Sequence, residues 1–132
     1  MFFDGTLAML EALKTRGHLL AVATGKSRRG LDDALNTSAL RGIFDATRTA
    51  DETASKPDPR MLHELMDHLG VEPQRTLMIG DTTHDLQLAL NAGVASIGVS
   101  YGAHDHESFE AFPTRHVAHS MADLHDWLVR NG

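Results

Sequence analysis

The sequence predicts an α/β protein, a doubly wound parallel sheet with helices on both faces, formed as a single domain over residues 1–132. Three observations predict it. Amphipathic segments alternate with short apolar runs along the whole chain. Two of those runs, His18 to Thr24 (HLLAVAT) and Thr76 to Gly80 (TLMIG), are nearly continuous, the pattern of strands covered on both faces. Glycines at 17, 70 and 93 follow helical segments where a left-handed stop is wanted.

Each element has its own justification. Residues 6–16 place Leu7, Leu10 and Leu13 on one helical face. The HLLAVAT strand follows, then a helix from Arg28 to Leu40 and a strand from Phe44 to Ala50. Ala54-Ser55-Lys56-Pro57-Asp58-Pro59 reads as a turn, with Asp58 capping the next helix and Pro59 at its first position. That helix carries Met61, Leu62, Leu65, Met66 and Leu69 at amphipathic spacing. The TLMIG strand, a helix from Thr83 to Ala92 and a strand from Val94 to Val99 repeat the pattern. A short helix near 107–112, an edge strand from Arg115 to Ala118 and a helix from Met121 to Arg130 complete it. Crossovers in such a sheet are right-handed, and chemistry gathers at the carboxyl ends of the strands.

Composition narrows the function. With 42% apolar residues, 5% aromatics and a formal net charge of −6, the chain reads as an ordinary globular protein. It has no run of Lys or Arg, which disfavours nucleic acid or an anionic membrane as partner. The absence of cysteine excludes a disulfide framework and a thiolate zinc site, and suits a reducing cytosol. No basic leader and no apolar run of membrane length is apparent, so a cytoplasmic location is expected.

The strand ends carry the chemistry. Thr24-Gly25-Lys26-Ser27 puts a hydroxyl, a glycine amide and a helix N-terminus where an anion would be favoured. The same four residues also make a plain turn in which Ser27 caps the helix, the commoner use of such a pattern. Lys56 is stiffened on its carboxyl side by Pro57 and Pro59, and could fix a positive charge on a phosphate or remain a solvated turn lysine. Gly80-Asp81-Thr82-Thr83-His84-Asp85 brings two carboxylates to the end of an apolar strand, a pairing that suits the hard-oxygen preference of Mg²⁺. A capping box with Thr82 as cap accounts for Asp85 but not for Asp81. The histidines of the last quarter, including His104, His106, His116, His119 and His125, lack a metal-ligand spacing and read as structural or surface residues.

Taken in order, Val22-Ala23-Thr24-Gly25, Ser55-Lys56-Pro57 and Gly80-Asp81-Thr82-Thr83-His84-Asp85, with Ala92-Gly93 after the last, resemble the haloacid dehalogenase superfamily in its phosphoglycolate-phosphatase-like branch. The resemblance spans nearly the whole chain. It implies a Rossmann-like core, phosphomonoester hydrolysis of a small phosphorylated metabolite, and Mg²⁺ as cofactor. It also implies Thr24 and the Gly25 amide as phosphate binders, Lys56 as the catalytic lysine that neutralises phosphoryl charge, Asp81 as a metal ligand and Asp85 as its support. The family reaction runs through a phospho-aspartate, with a second aspartate two positions on acting as acid and base.

Asp4-Gly5-Thr6 looks like the tail of the family's Asp-x-Asp-Gly-Thr nucleophile motif, but that alignment puts Phe2 in the nucleophile's place, and a phenyl ring cannot attack phosphorus. The spacing from Asp4-Gly5 through a helix to Thr24 instead resembles the loop by which such chains re-enter the core after a cap. The resemblance therefore implies that the first central strand, its nucleophile and the cap are absent from these residues. Two inner sheet edges, one beside the Thr24 strand and one beside the Gly80 strand, are then open to strand addition, to a homodimer or to direct closure of the gap. Two other readings stand beside an incomplete phosphatase. One is a non-catalytic module that binds Mg²⁺, phosphate or a protein partner. The other is a receiver domain, against which the order of threonine, lysine and acid pair argues.

Overall fold

The computed structural model describes residues 6–36, 42–54, 56, 58–80, 82–100, 109 and 112–131. Its elements alternate as expected: α1 Thr6–Thr15, β1 Ala21–Thr24, α2 Arg28–Leu35, β2 Ala46–Thr49, α3 Arg60–Leu69, a 3₁₀ turn at Pro73–Arg75, β3 Leu77–Gly80, α4 Thr83–Ala92, β4 Ala95–Val99, β5 His116–Ala118 and α5 Met121–Asn131.

All strand pairs are parallel, but they fall into two groups. β1 pairs with β2, Ala21 opposite Ala46 through Thr24 opposite Thr49. β3, β4 and β5 form the second group, with Leu77 opposite Ala95 and Ile97 opposite His116. Among the described residues no strand joins β1 to β3, so the sheet is interrupted there, at the position where the family resemblance implies a central strand.

Helices cover both faces, and each helical layer reaches across the interruption. On one side Met9, Leu10 and Leu13 of α1 bury against Ile97, Val99, Leu124 and Leu128, with Leu20, Ile43, Phe44 and Leu77 around them. On the other, Leu62, Leu65 and Met66 of α3 meet Leu88, Ala89 and Ala92 of α4, over Ala23, Ala46 and Met78. Consecutive residues Leu77 and Met78 therefore serve opposite cores, as the pleat of a strand covered on both faces requires. Gly98 makes room for the ring of Phe109: a Cβ there would sit 2.5 Å from it, and Phe109 is 1% exposed.

Several boundaries differ from expectation for local reasons. The HLLAVAT strand begins only at Ala21, because His18 N–H closes onto Leu13 at the end of α1 and Leu20 N–H donates to the Asp45 carboxylate. α2 ends at Leu35 rather than Leu40: Asn36 leaves helical angles and its N–H caps onto Asp33. Pro59, not Asp58, is the cap residue of α3, which moves both one position outward from expectation; Asp58 accepts from Arg60 N–H at 3.0 Å from the position before the cap. β2 and β4 are shorter than the runs that announced them, and β5 is an edge strand as expected. Met61 and Met66 are core residues. The stretch around Asp4, residues 37–41, His104 to His106 and most of the short helix expected at 107–112 lie outside the described residues.

Candidate functional site

The carboxyl end of β3 is built around a missing side chain. Thr82 caps α4 by accepting from Asp85 N–H at 3.2 Å, which turns the first helical turn back onto the strand it follows. Asp85 then lies so close to Gly80 that a Cβ on residue 80 would stand 2.2 Å from the Asp85 Cβ. Only glycine fits, and the result is a carboxylate buried to 4% exposure at a strand end.

Asp85 does not sit there uncompensated. Lys56 Nζ forms an ion pair with Asp85 Oδ1, and its side chain is itself 17% exposed. Burial of a charge is tolerable when it is paired. The lysine is delivered by the turn after β2, which is tied down by Thr53 Oγ1 donating to Glu64 of α3 at 3.0 Å. Arg48 Nε reaches the other oxygen of Glu64 at 3.1 Å, so α3 and β2 hold the start of this turn between them.

Thr24 and Gly25 stand at the carboxyl end of β1. Thr24 Oγ1 accepts from Lys26 N–H at 3.2 Å, a tight local turn that leaves Gly25 exposed at its crest. A Cβ on Gly25 would meet nothing within 4 Å, so the space over this residue is open. The first amides of α2 are engaged by the protein itself: Ser27 Oγ accepts from Gly30 N–H at 3.0 Å, and both oxygens of Asp51 accept from Arg28 N–H at 3.0 and 3.1 Å. The capping role weighed for Ser27 is therefore present, and the amides of Arg28 and Gly30 are taken from any anion cradle at this helix start.

The described residues thus bring Lys56 and Asp85 into contact, while Thr24 and Gly25 connect to them through β2. Ala50 N–H, at the head of the turn that leads to Lys56, donates to the Thr24 carbonyl at 3.1 Å. Asp81, Ser55 and Pro57 lie outside the described residues. Among the described residues no three acidic or histidine side chains gather as a metal cage.

A second polar assembly escaped the sequence reading. Thr49, fully buried, donates its hydroxyl to Asp51, with Glu52 Oε1 3.0 Å away, and Arg28 joins Glu52 to Asp32. Thr49 and Arg28 hold Asp51 below the usual carboxylate range, and the Arg28 guanidinium does the same for Glu52. The available signal was Thr49-Ala50-Asp51-Glu52, two acids placed directly after a strand.

The chain is similar in sequence and fold to known proteins. A model of the haloacid dehalogenase-like hydrolases matches residues 1–99. A phosphoglycolate phosphatase from Rhodospirillum rubrum is 36% identical over 127 residues, which are 96% of this chain and 52% of that protein. The pyrophosphatase PpaX of Bacillus mycoides is 32% identical over 129 residues, 97% of this chain and 60% of its own. A haloacid dehalogenase-like hydrolase from Bacteroides fragilis superposes with a TM-score of 0.87 at 30% identity, over 94% of this chain and 60% of that one. The chain spans between half and three fifths of the length of these relatives.

Proposed function

This chain belongs to the haloacid dehalogenase-like hydrolase family, and we propose that it is the phosphoryl-binding part of a Mg²⁺-dependent phosphomonoester hydrolase acting on a small phosphorylated metabolite. The observation that carries the reading is the buried Lys56–Asp85 pair at the carboxyl end of β3. A lysine held by a carboxylate has its ammonium fixed in place, with further N–H donors to offer a phosphoryl oxygen. The sequence order of Thr24, Lys56, Asp81 and Asp85, and relatives named as phosphatases, support the same reading.

On this reading Thr24 Oγ1 and the Gly25 N–H orient the phosphate from the end of β1. Lys56 offsets its charge from the turn after β2. Asp81 and Asp85 would hold Mg²⁺. The donor set fits: both are hard carboxylate oxygens, and Gly80 is bare so that Asp85 can approach the strand end. The ion, when bound, stabilises charge on the transferring group. None of these 132 residues forms the Asp-x-Asp pair of the family's nucleophile motif, so on this reading the nucleophile and the acid/base partner come from other residues. The metabolite is of the phosphoglycolate type, with pyrophosphate as the competitor that a relative's name suggests.

The 132-residue chain with Mg²⁺ is expected to turn over a generic aryl phosphate no faster than blank, whereas a chain extended upstream by an apolar strand ending in Asp-x-Asp-Gly is active. Robust turnover by the 132 residues alone sinks the incomplete-enzyme reading. In calorimetry, a Thr24→Ala, Lys56→Ala double variant should lose binding of inorganic phosphate; binding equal to the parent's would remove both residues from the site. The interrupted sheet favours a second reading, a non-catalytic module that docks a partner or a second copy of itself through the β1 and β3 edges. An upstream-extended chain that stays inactive while the parent self-associates would favour it.

A further inference from the structure

The Thr24–Ser27 loop is gripped at both ends by one turn of the chain. At its start the Thr24 carbonyl accepts from Ala50 N–H; at its end Arg28 N–H donates to both oxygens of Asp51. Ala50 and Asp51 are neighbours, so the turn that follows β2 sets the span of the loop that follows β1. The turn itself has little freedom. Thr49 is fully buried and gives its hydroxyl to Asp51, Thr49 N–H donates to Glu52 Oε1 at 3.1 Å, and Glu52 N–H donates back to the Thr49 carbonyl at 3.1 Å. The Arg28 guanidinium closes the assembly on Glu52, on Asp32 at 3.1 Å and on the Thr47 carbonyl at 3.3 Å.

Electrostatics alone would not place Asp51 here. A carboxylate beside a loop that takes an anion repels it, so as a pure charge Asp51 weakens phosphate binding. Its geometry does the opposite. By taking the first α2 amide and fixing the loop's exit, it leaves the amides of Gly25 and Lys26 with one arrangement rather than many, and a preformed set of donors binds an anion better than one ordered by the ligand.

We propose that Asp51, oriented by the buried Thr49 hydroxyl, is a positioning residue that holds the Thr24–Ser27 loop in its phosphate-binding shape. This rests on the assignment of phosphate to Thr24 and Gly25 above and extends it to residues that touch no substrate.

The two contributions have opposite signs, which makes the test decisive. Inorganic phosphate is titrated into the full 132-residue chain while the backbone amides of Gly25, Lys26 and Arg28 are followed by NMR. Asp51→Ala should weaken phosphate binding about tenfold, the scale of one charge-assisted hydrogen bond, and Asp51→Asn, which keeps an acceptor for Arg28 N–H, should recover part of the loss. Thr49→Val leaves every charge in place and should weaken binding several-fold; it decides the matter if Asp51→Ala does not fold. Binding by Asp51→Ala that equals or exceeds the parent's, or by Thr49→Val that equals it, overturns the proposal and leaves the phosphate site standing. Absence of any Gly25 shift in the parent removes the phosphate site and this proposal together.

Discussion

Gly80 and Asp85 share one volume, and the site at the end of β3 exists because residue 80 gives it up. A Gly80→Ala change puts a methyl group 2.2 Å from the Asp85 Cβ, and overpacking of this kind costs about 1–3 kcal/mol, more where backbone must move. Urea unfolding should show a loss of at least about 1 kcal/mol, and if Asp85 is displaced the same variant should bind phosphate more weakly through Lys56. A variant as stable as the parent would mean that the first turn of α4 shifts freely. The glycine itself was legible, since it stands next to the acid motif. Its reason was not: a sequence shows that Gly80 precedes Asp81, but the collision partner is Asp85, brought back by the Thr82 cap one helical turn on. Lys56 was legible as a residue and not as a pair, because its partner is 29 positions away.

At the scale of elements, the tie between β2 and α2 is electrostatic and so depends on pH. Asp51 and Glu52 are held below the ordinary carboxylate range in the folded chain. A depressed carboxyl stabilises the fold at pH values above its unfolded pKa, and that contribution is lost as pH falls towards the folded value. Denaturant midpoints for the parent and Glu52→Gln should therefore differ at pH 7 and converge below about pH 4; a gap that stays constant with pH would assign the effect to shape rather than charge. The elements themselves follow the sequence closely where periodicity is strong, as in α4, whose bounds coincide with the expected Thr83–Ala92. They depart where a distant side chain competes for a backbone group: Asp45 takes the Leu20 amide and delays β1, a contact that spans 25 positions. Short strands and helix ends are set by such contacts, which local pattern cannot contain.

For the whole molecule, the sheet is two half-sheets held by common helical layers. The gap between β1 and β3 was legible only through the family resemblance, because nothing in the periodicity of either run says which strand lies beside it. α1 packs across one face and the α3–α4 pair across the other, so the halves belong to the same two cores without sharing a ladder among the described residues. Time, rather than energy alone, should expose this arrangement. β4 is hydrogen-bonded on both sides, while among the described residues β1 and β3 are bonded on one, and a backbone amide with no ladder partner trades its proton with solvent through small local openings. In deuterated buffer the amides of Ile97 and Gly98 should be among the last to exchange, and alternate amides of β1 and β3 among the first within any strand. Uniformly slow exchange along β1 and β3 would mean that in solution something already lies in the seam.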